Sequence, residues 1–193
     1  MKKRSVKTKL LALSVVLILA ALSVYGTLAY FTAQGTARNV ITTGDIKIAL
    51  EERMLTPDGE QTVPFEDQLD VMPGTDVSKI VTVKNTGGQP AWVRVSLDKA
   101  IELAQGVEGQ ADFSLVTCDL NTESWTEKDG YYYYNAALEP GQTTEPLFTA
   151  VHFAETMSNM YQESRAVLQV NAFATQTAHN GASALEAAGW PEA

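Results

Sequence analysis

The segment VSKIVTVKNTGGQPAWVRVSLD, Val77 to Asp98, decides the fold class. Its first half sets Val77, Val81 and Val83 on one side and Ser78, Thr82 and Lys84 on the other. Its second half sets Ala91, Val93, Val95 and Leu97 against Trp92, Arg94 and Ser96. A period of two marks half-buried strands, because successive side chains of an extended chain point to opposite faces. The interruption, Asn85-Thr86-Gly87-Gly88, is turn chemistry, so the two runs are expected to pair as an antiparallel hairpin.

Working outward, the same pattern recurs. Gly44 to Glu51 puts Ile46 and Ile48 opposite Asp45 and Lys47. Corners follow at Thr56 to Glu60, where Pro57 fixes φ and Gly59 allows a positive one, and at Met72-Pro73-Gly74. Ala100 to Ala104 could form one helical turn before a Gly106 to Gly109 loop. Phe113 to Cys118 is a strand candidate. Ser124 to Tyr134 reads as a hairpin whose turn is Lys128-Asp129-Gly130, since Asp-Gly between aromatic runs is a strong hairpin signal. Glu139-Pro140-Gly141 makes another corner before Thr144 to Phe153. The longest alternating run, Arg165 to Thr177, has the composition of a central strand, and residues 182–190 could close as a short helix. Seven or more strands without a sustained helical period predict an all-β fold, an antiparallel β-sandwich.

The N-terminus is a separate matter. Lys2, Lys3, Arg4, Lys7 and Lys9 precede an uncharged stretch from Leu10 through Ala37, with the apolar part at Leu10 to Val24. That is the pattern of an export signal, residues 1–29, expected as an N-terminal signal helix preceding the sandwich, and its apolar part is shorter than the roughly 20 residues of a spanning helix. Thr27 and Ala29 offer a cleavage site that leaves Tyr30 as the new N-terminus. If the signal stayed uncleaved, it would be the chain's one attachment to a membrane. Division of the chain follows: signal 1–29, N-terminal arm 30–43, sandwich 44–178, tail 179–193.

Of the 193 residues, removal of the first 29 leaves 164, enough for a single core. The signal holds five of the 14 Lys and Arg and none of the 23 Asp and Glu, so nine cations remain against 23 acids, a formal charge of −14. Such a chain repels nucleic acid and anionic lipid. One cysteine, Cys118, allows no internal disulfide. It reads as a small apolar residue in a strand, with an intermolecular disulfide or a reactive thiol as the sharper alternative.

Catalytic patterns are missing. There is no His-Glu-x-x-His, phosphate-binding glycine loop, Gly-x-Ser-x-Gly elbow or cysteine pair, and the only histidines are His152 and His179. Glu51-Glu52, Glu66-Asp67 and Asp112 are scattered and read as solvated surface. No catalytic residue, metal or cofactor is assigned. Trp125 with Tyr131, Tyr132, Tyr133 and Tyr134 is the one aromatic concentration. On a strand two tyrosines pack inward and two face outward, where they could form a contact platform or simply pair across the hairpin.

The export segment with Gly26-Thr27-Leu28-Ala29-Tyr30-Phe31-Thr32, followed by Asn39-Val40 and Thr43-Gly44-Asp45-Ile46, resembles the TasA/camelysin family of Gram-positive exported proteins. Their signals are cut by a SipW-type signal peptidase. Met72-Pro73-Gly74-Thr75 leading into Val81 to Gly87, the Pro90 to Val95 strand and the Leu168 to Gln176 strand are also similar, so the resemblance covers roughly residues 1–178. It implies a jelly-roll-like sandwich that is secreted to the extracellular matrix or cell surface and is not an enzyme. It also implies a biofilm fibre subunit that assembles with itself or related matrix proteins by donor-strand addition. The arm carrying Tyr30, Phe31, Val40 and Ile41 would then fill a sheet edge in the next subunit. Head-to-tail contacts of that kind propagate as filaments. Alternatives are a cell-surface binding module using the aromatic hairpin, and a camelysin-type metallopeptidase, from whose motif this chain departs.

Overall fold

The computed structural model describes residues 31–39 and 45–191. The signal segment with its expected helix, Tyr30, and residues 40–44 with Val40 and Ile41 lie outside the described residues. In chain order the strands are β1 (Phe31–Asn39), β2 (Ile48–Leu55), β3 (Thr62–Pro64), β4 (Gln68–Val71), β5 (Asp76–Ser78) and β6 (Ile80–Asn85). They continue with β7 (Ala91–Glu102), β8 (Val116–Cys118), β9 (Trp125–Lys128), β10 (Tyr131–Tyr134), β11 (Ala150–Phe153) and β12 (Ser164–Gln176). Only two single 3₁₀ turns interrupt them among the described residues, so the chain is all-β.

The strands form a six-stranded sheet ordered β4-β1-β12-β7-β10-β9 and two three-stranded sheets, β5-β11-β8 and β3-β2-β6. The spine is β12 against β7, antiparallel over twelve pairs from Arg165↔Glu102 to Gln176↔Ala91. Val93, Val95, Leu168 and Val170 of the large sheet share one buried cluster with Leu50, Val81, Val83, Val116, Val151 and Phe153 of the small ones. One core between facing sheets is sandwich-like, and each fully buried Val, Leu or Phe in it contributes about 1.5–3 kcal/mol.

Val77–Asp98 departs from the expected hairpin. Its two halves lie in different sheets: β6 pairs with β2, from Ile48↔Asn85 to Arg53↔Ile80, whereas β7 pairs with β12 and β10. The Asn-Thr-Gly-Gly loop folds back on the start of the domain, with Gly87 N–H donating to Lys47 O at 3.1 Å and Gly88 N–H to Asp45 O at 3.2 Å. The free edge of β6 is taken by the irregular segment after Glu139-Pro140-Gly141: Thr144 N–H donates to Val83 O and Leu147 N–H to Val81 O, both at 2.9 Å. Alternation identified the buried face of β6 correctly, but in β7 Trp92 and Ser96 of the opposite face are buried as well, and in neither strand did it carry information on the neighbour.

The run Val77–Asn85 is also divided at Lys79, where the chain leaves the β5 sheet for the β6 sheet. The expected helical turn at Ala100 to Ala104 is instead strand through Glu102, because Ala100, Ile101 and Glu102 continue the ladder with Val167, Ala166 and Arg165. Phe113–Leu115 is a 3₁₀ turn capped by Asp112, and strand begins only at Val116. Asp129 and Gly130 hold φ values of 52° and 80°, the paired positive angles of a type I′ turn, so the β9–β10 hairpin forms as expected. Residues 182–190 form turns rather than a helix.

Candidate functional site

The arm is the first feature of interest. Phe31–Asn39 lies as a strand between β12 and β4. Toward β12 it runs parallel, in unbroken register from Phe31↔Ser164 to Asn39↔Ala172. Toward β4 it runs antiparallel, through Phe31↔Val71 and Ala33↔Gln68, with a register shift between them. The pairing of the arm with β12 is parallel, in sheets otherwise antiparallel among the described residues. A parallel neighbour cannot come from a tight turn; it needs a long connection or a segment arriving from elsewhere.

The seat it fills is well defined. On β12 the inward residues Ala166, Leu168, Val170 and Ala172 belong to the core, and the other edge of the strand is committed to β7. Among the described residues, β4 joins the sheet only through β1. Without β1, β12 would present a long row of unpaired backbone groups and β4 would have no ladder at all, a configuration that invites another strand. Thr27, Ala29, Tyr30, Val40 and Ile41 lie outside the described residues; of the expected arm residues only Phe31 is placed, by its backbone.

The aromatic hairpin is the second feature. Tyr132 and Tyr134 pack against the core cluster, Tyr134 with its ring 5.1 Å from that of buried Trp125. Burial, with Glu127 nearby, pushes the Tyr132 phenol up from its usual range. Tyr131 and Tyr133 take the other face, as alternation requires. The sequence left that face open between a contact platform and packing within the hairpin; the C-terminal segment covers it. Trp190 meets Tyr133 edge-on at 5.7 Å, and buried Ala184 sits with Trp92 and Tyr133 while Leu185 and Ala187 pack around them.

Arg94 is held in the same place. Its guanidinium lies 3.9 Å from the Tyr131 ring centre, 4.8 Å from Trp190 and 5.3 Å from Phe173, and it donates to Pro191 O at 3.2 Å. Stacked cations of this kind attract the ring faces. Asn180 anchors the near end: its Nδ2 donates to Gln176 O and Ala188 O, its Oδ1 accepts from Ala188 N–H, and its carbonyl accepts from Trp92 Nε1. The tail therefore explains why β12 alternates at its start and is buried on both faces from Val170 to Thr175. Composition alone offered a tail with little to fix it; the missed signals were Trp190 and the hydrogen-bonding capacity of Asn180.

The remaining groups do not converge. His152 is exposed and paired with Asp76 at 2.7 Å, and His179 lies in the tail connection. Among the described residues no group of three or more His, Cys, Asp or Glu could hold a metal. Glu52 is not surface, as expected, but is buried against Lys79 at 2.8 Å, and Asp112 caps its own turn through Ser114. Cys118 is half-buried, and burial pushes its thiol up, opposed by the charge of Lys99. A thiol so shifted has little thiolate to offer. The core beside Lys79, Phe65 and Leu168 contains a cavity of about 20 Å³, room for about one water and not for an organic substrate. Among the described residues no helix is long and apolar enough to cross a membrane.

Comparison of the chain with protein-family profiles, with curated proteins and with solved structures finds no match.

Proposed function

We propose that this chain is a secreted, non-enzymatic subunit of an extracellular fibre or matrix, with a jelly-roll-like sandwich that links to its neighbour by donating residues 30–43 as a strand. The observation that supports it is the arm itself: Phe31–Asn39 occupies a nine-residue seat on β12 as a discrete strand at the N-terminal side of the domain. A strand that enters parallel, from the end of the chain, is the element most readily supplied in trans. Its ladder is backbone to backbone, which gives affinity, and the apolar positions of the seat fix register. Cleavage before Tyr30 by a SipW-type peptidase would free the arm to leave its own subunit and enter another. A head-to-tail exchange of this kind does not close on itself and grows as a filament.

The alternative of a binding module with Trp125 and the tyrosine hairpin as its contact is less well supported, because Tyr131 and Tyr133 lie under the C-terminal segment. Electron microscopy tests the preferred reading. Protein beginning at Tyr30 is expected to form filaments, and protein beginning at Gly44 is not. Filaments that persist without residues 30–43 overturn the strand-donation mechanism.

A further inference from the structure

We propose that Asn180 is a deamidation site whose conversion releases the C-terminal segment and bares the aromatic face of the six-stranded sheet. Asn180-Gly181 is the one Asn-Gly pair in the 193 residues. Glycine after asparagine leaves the backbone nitrogen unhindered as a nucleophile toward the side-chain carbonyl. Gly181 is exposed, and among the described residues nothing accepts a hydrogen bond from its N–H.

The chemistry needs only water. The Gly181 nitrogen, losing its proton to solvent base, attacks Asn180 Cγ; a new C–N bond forms, the Cγ–Nδ2 bond breaks, and Nδ2 leaves as ammonia after taking up a proton. The resulting succinimide is opened by one water at either carbonyl, giving aspartate or isoaspartate. Net, one asparagine and one water become one aspartyl residue and one ammonia, with no change of oxidation state.

What makes this position consequential is the geometry around the amide. Nδ2 faces Thr175 Oγ1 at 3.2 Å, Gln176 O at 2.9 Å and Ala188 O at 3.0 Å. Thr175 Oγ1 already donates to Ala188 O. Deamidation replaces the donor by a carboxylate oxygen and sets it against two carbonyl oxygens that cannot turn into donors, so an attraction becomes a repulsion in a half-buried site. Isoaspartate adds a second displacement, because it inserts a methylene into the main chain beside the Asn180 carbonyl that accepts from Trp92 Nε1 at 2.9 Å. No cation is among these contacts: Arg94 is held at the far end of the tail by its rings and Pro191 O, and Glu186, whose carboxylate accepts from Ala182 N–H, is itself an acid.

His179 holds a positive φ of 55°, uncommon for a residue with a side chain, at the connection out of β12. Once free, Ala184, Leu185 and Trp190 leave Trp92, Tyr131, Tyr133 and Phe173 facing water. The inference does not depend on how the N-terminal arm is used. The change is slow and irreversible, and its place outside the cell rests on the secretion proposed above.

The experiment ages the chain beginning at Tyr30 in warm, mildly alkaline buffer and follows each asparagine by peptide mass spectrometry. Aspartate and isoaspartate are expected at position 180 ahead of Asn39, Asn85, Asn121, Asn135, Asn159 and Asn171. In the aged fraction hydrogen-exchange protection is lost over residues 182–191 and kept in β12. Asn180→Asp should show the same loss with a red shift of tryptophan emission at neutral pH. Both are expected to recover in part on acidification, when the protonated acid regains a donor. Asn180 remaining intact while other asparagines convert, or an aged chain whose tail stays protected, overturns the proposal. The aged protein decides the matter even if Asn180→Asp does not fold.

Discussion

A lysine with 2% of its side chain exposed is held in this core by one carboxylate and one ring. Lys79 Nζ lies 2.8 Å from Glu52 Oε1 and 3.8 Å from the centre of the Phe65 ring. Burial lowers its pKa, and Glu52, Asp67 and Cys118 oppose the shift without cancelling it. Since the folded-state pKa lies below 10.5, the unfolded chain holds the proton more tightly. The penalty is thus full below the folded pKa and fades as pH rises through it toward the unfolded value, so this residue makes stability increase with pH. Denaturant titrations across that range should show the wild type gaining on Lys79→Met as the solution becomes more alkaline. Glu52→Leu, which strands the charge, should lose about 3–5 kcal/mol, and the double variant with Lys79→Met should recover most of it. Equal stability of the single and double variants would mean that the pair is solvated in solution. Half of this was readable beforehand, because Lys79 shares its parity with Val77, Val81 and Val83. Its partner was not, because Glu52 reaches it only through the pairing of β2 with β6, where Glu52 stands opposite Val81.

Elements whose signal is local were legible, and those fixed by a distant partner were not. Asp129-Gly130 specifies its own turn through two positive φ angles, so the β9–β10 hairpin needed no tertiary information. Asn85-Thr86-Gly87-Gly88 has similar composition and does something else: it carries the chain from one sheet to the other, and its glycines serve close approach. A Cβ on Gly87 would stand 2.2 Å from Asp45 O and 2.8 Å from Lys47 N, both backbone atoms that cannot swing aside. On Gly88 it would meet the Asp45 carboxylate oxygen at 2.3 Å, the movable end of an exposed side chain. Gly87→Ala should therefore destabilise by about 1–3 kcal/mol, the range for forced overpacking, and Gly88→Ala by clearly less. Thermal melts of the two variants check the order. Equal effects would indicate that the loop is a free hairpin turn after all. The same division applies to Ala100 to Ala104, whose helix-forming alanines yield to the ladder opposite β12, and to the tail, whose place is set by Trp92 and Arg94 far back in the sequence.

At the scale of the molecule, alternation predicted a sandwich, but sheet order lay beyond it, because period two reports which face is buried and not which edge is adjacent. The parallel seating of β1 is the clearest case: neither the composition of the arm nor that of β12 states the relative direction of the two. Charge is legible in full, and it bears on assembly. The chain beginning at Tyr30 carries nine cations against 23 acids, so copies of it repel, while under the proposed strand donation a backbone ladder and apolar seat would attract. Repulsion between exposed charges is screened beyond a Debye length of about 10 Å at 0.1 M salt, whereas the ladder is formed inside the sheet and is insensitive to it. If residues 30–43 link subunits, filament growth from this chain should therefore speed up as sodium chloride is added, with a shorter lag at fixed protein concentration. Light scattering read alongside microscopy measures it. A lag that lengthens with salt would mean that opposite charges on the two partners, Arg38 of the arm among them, drive the contact, and the backbone ladder on β12 could not then be its main source.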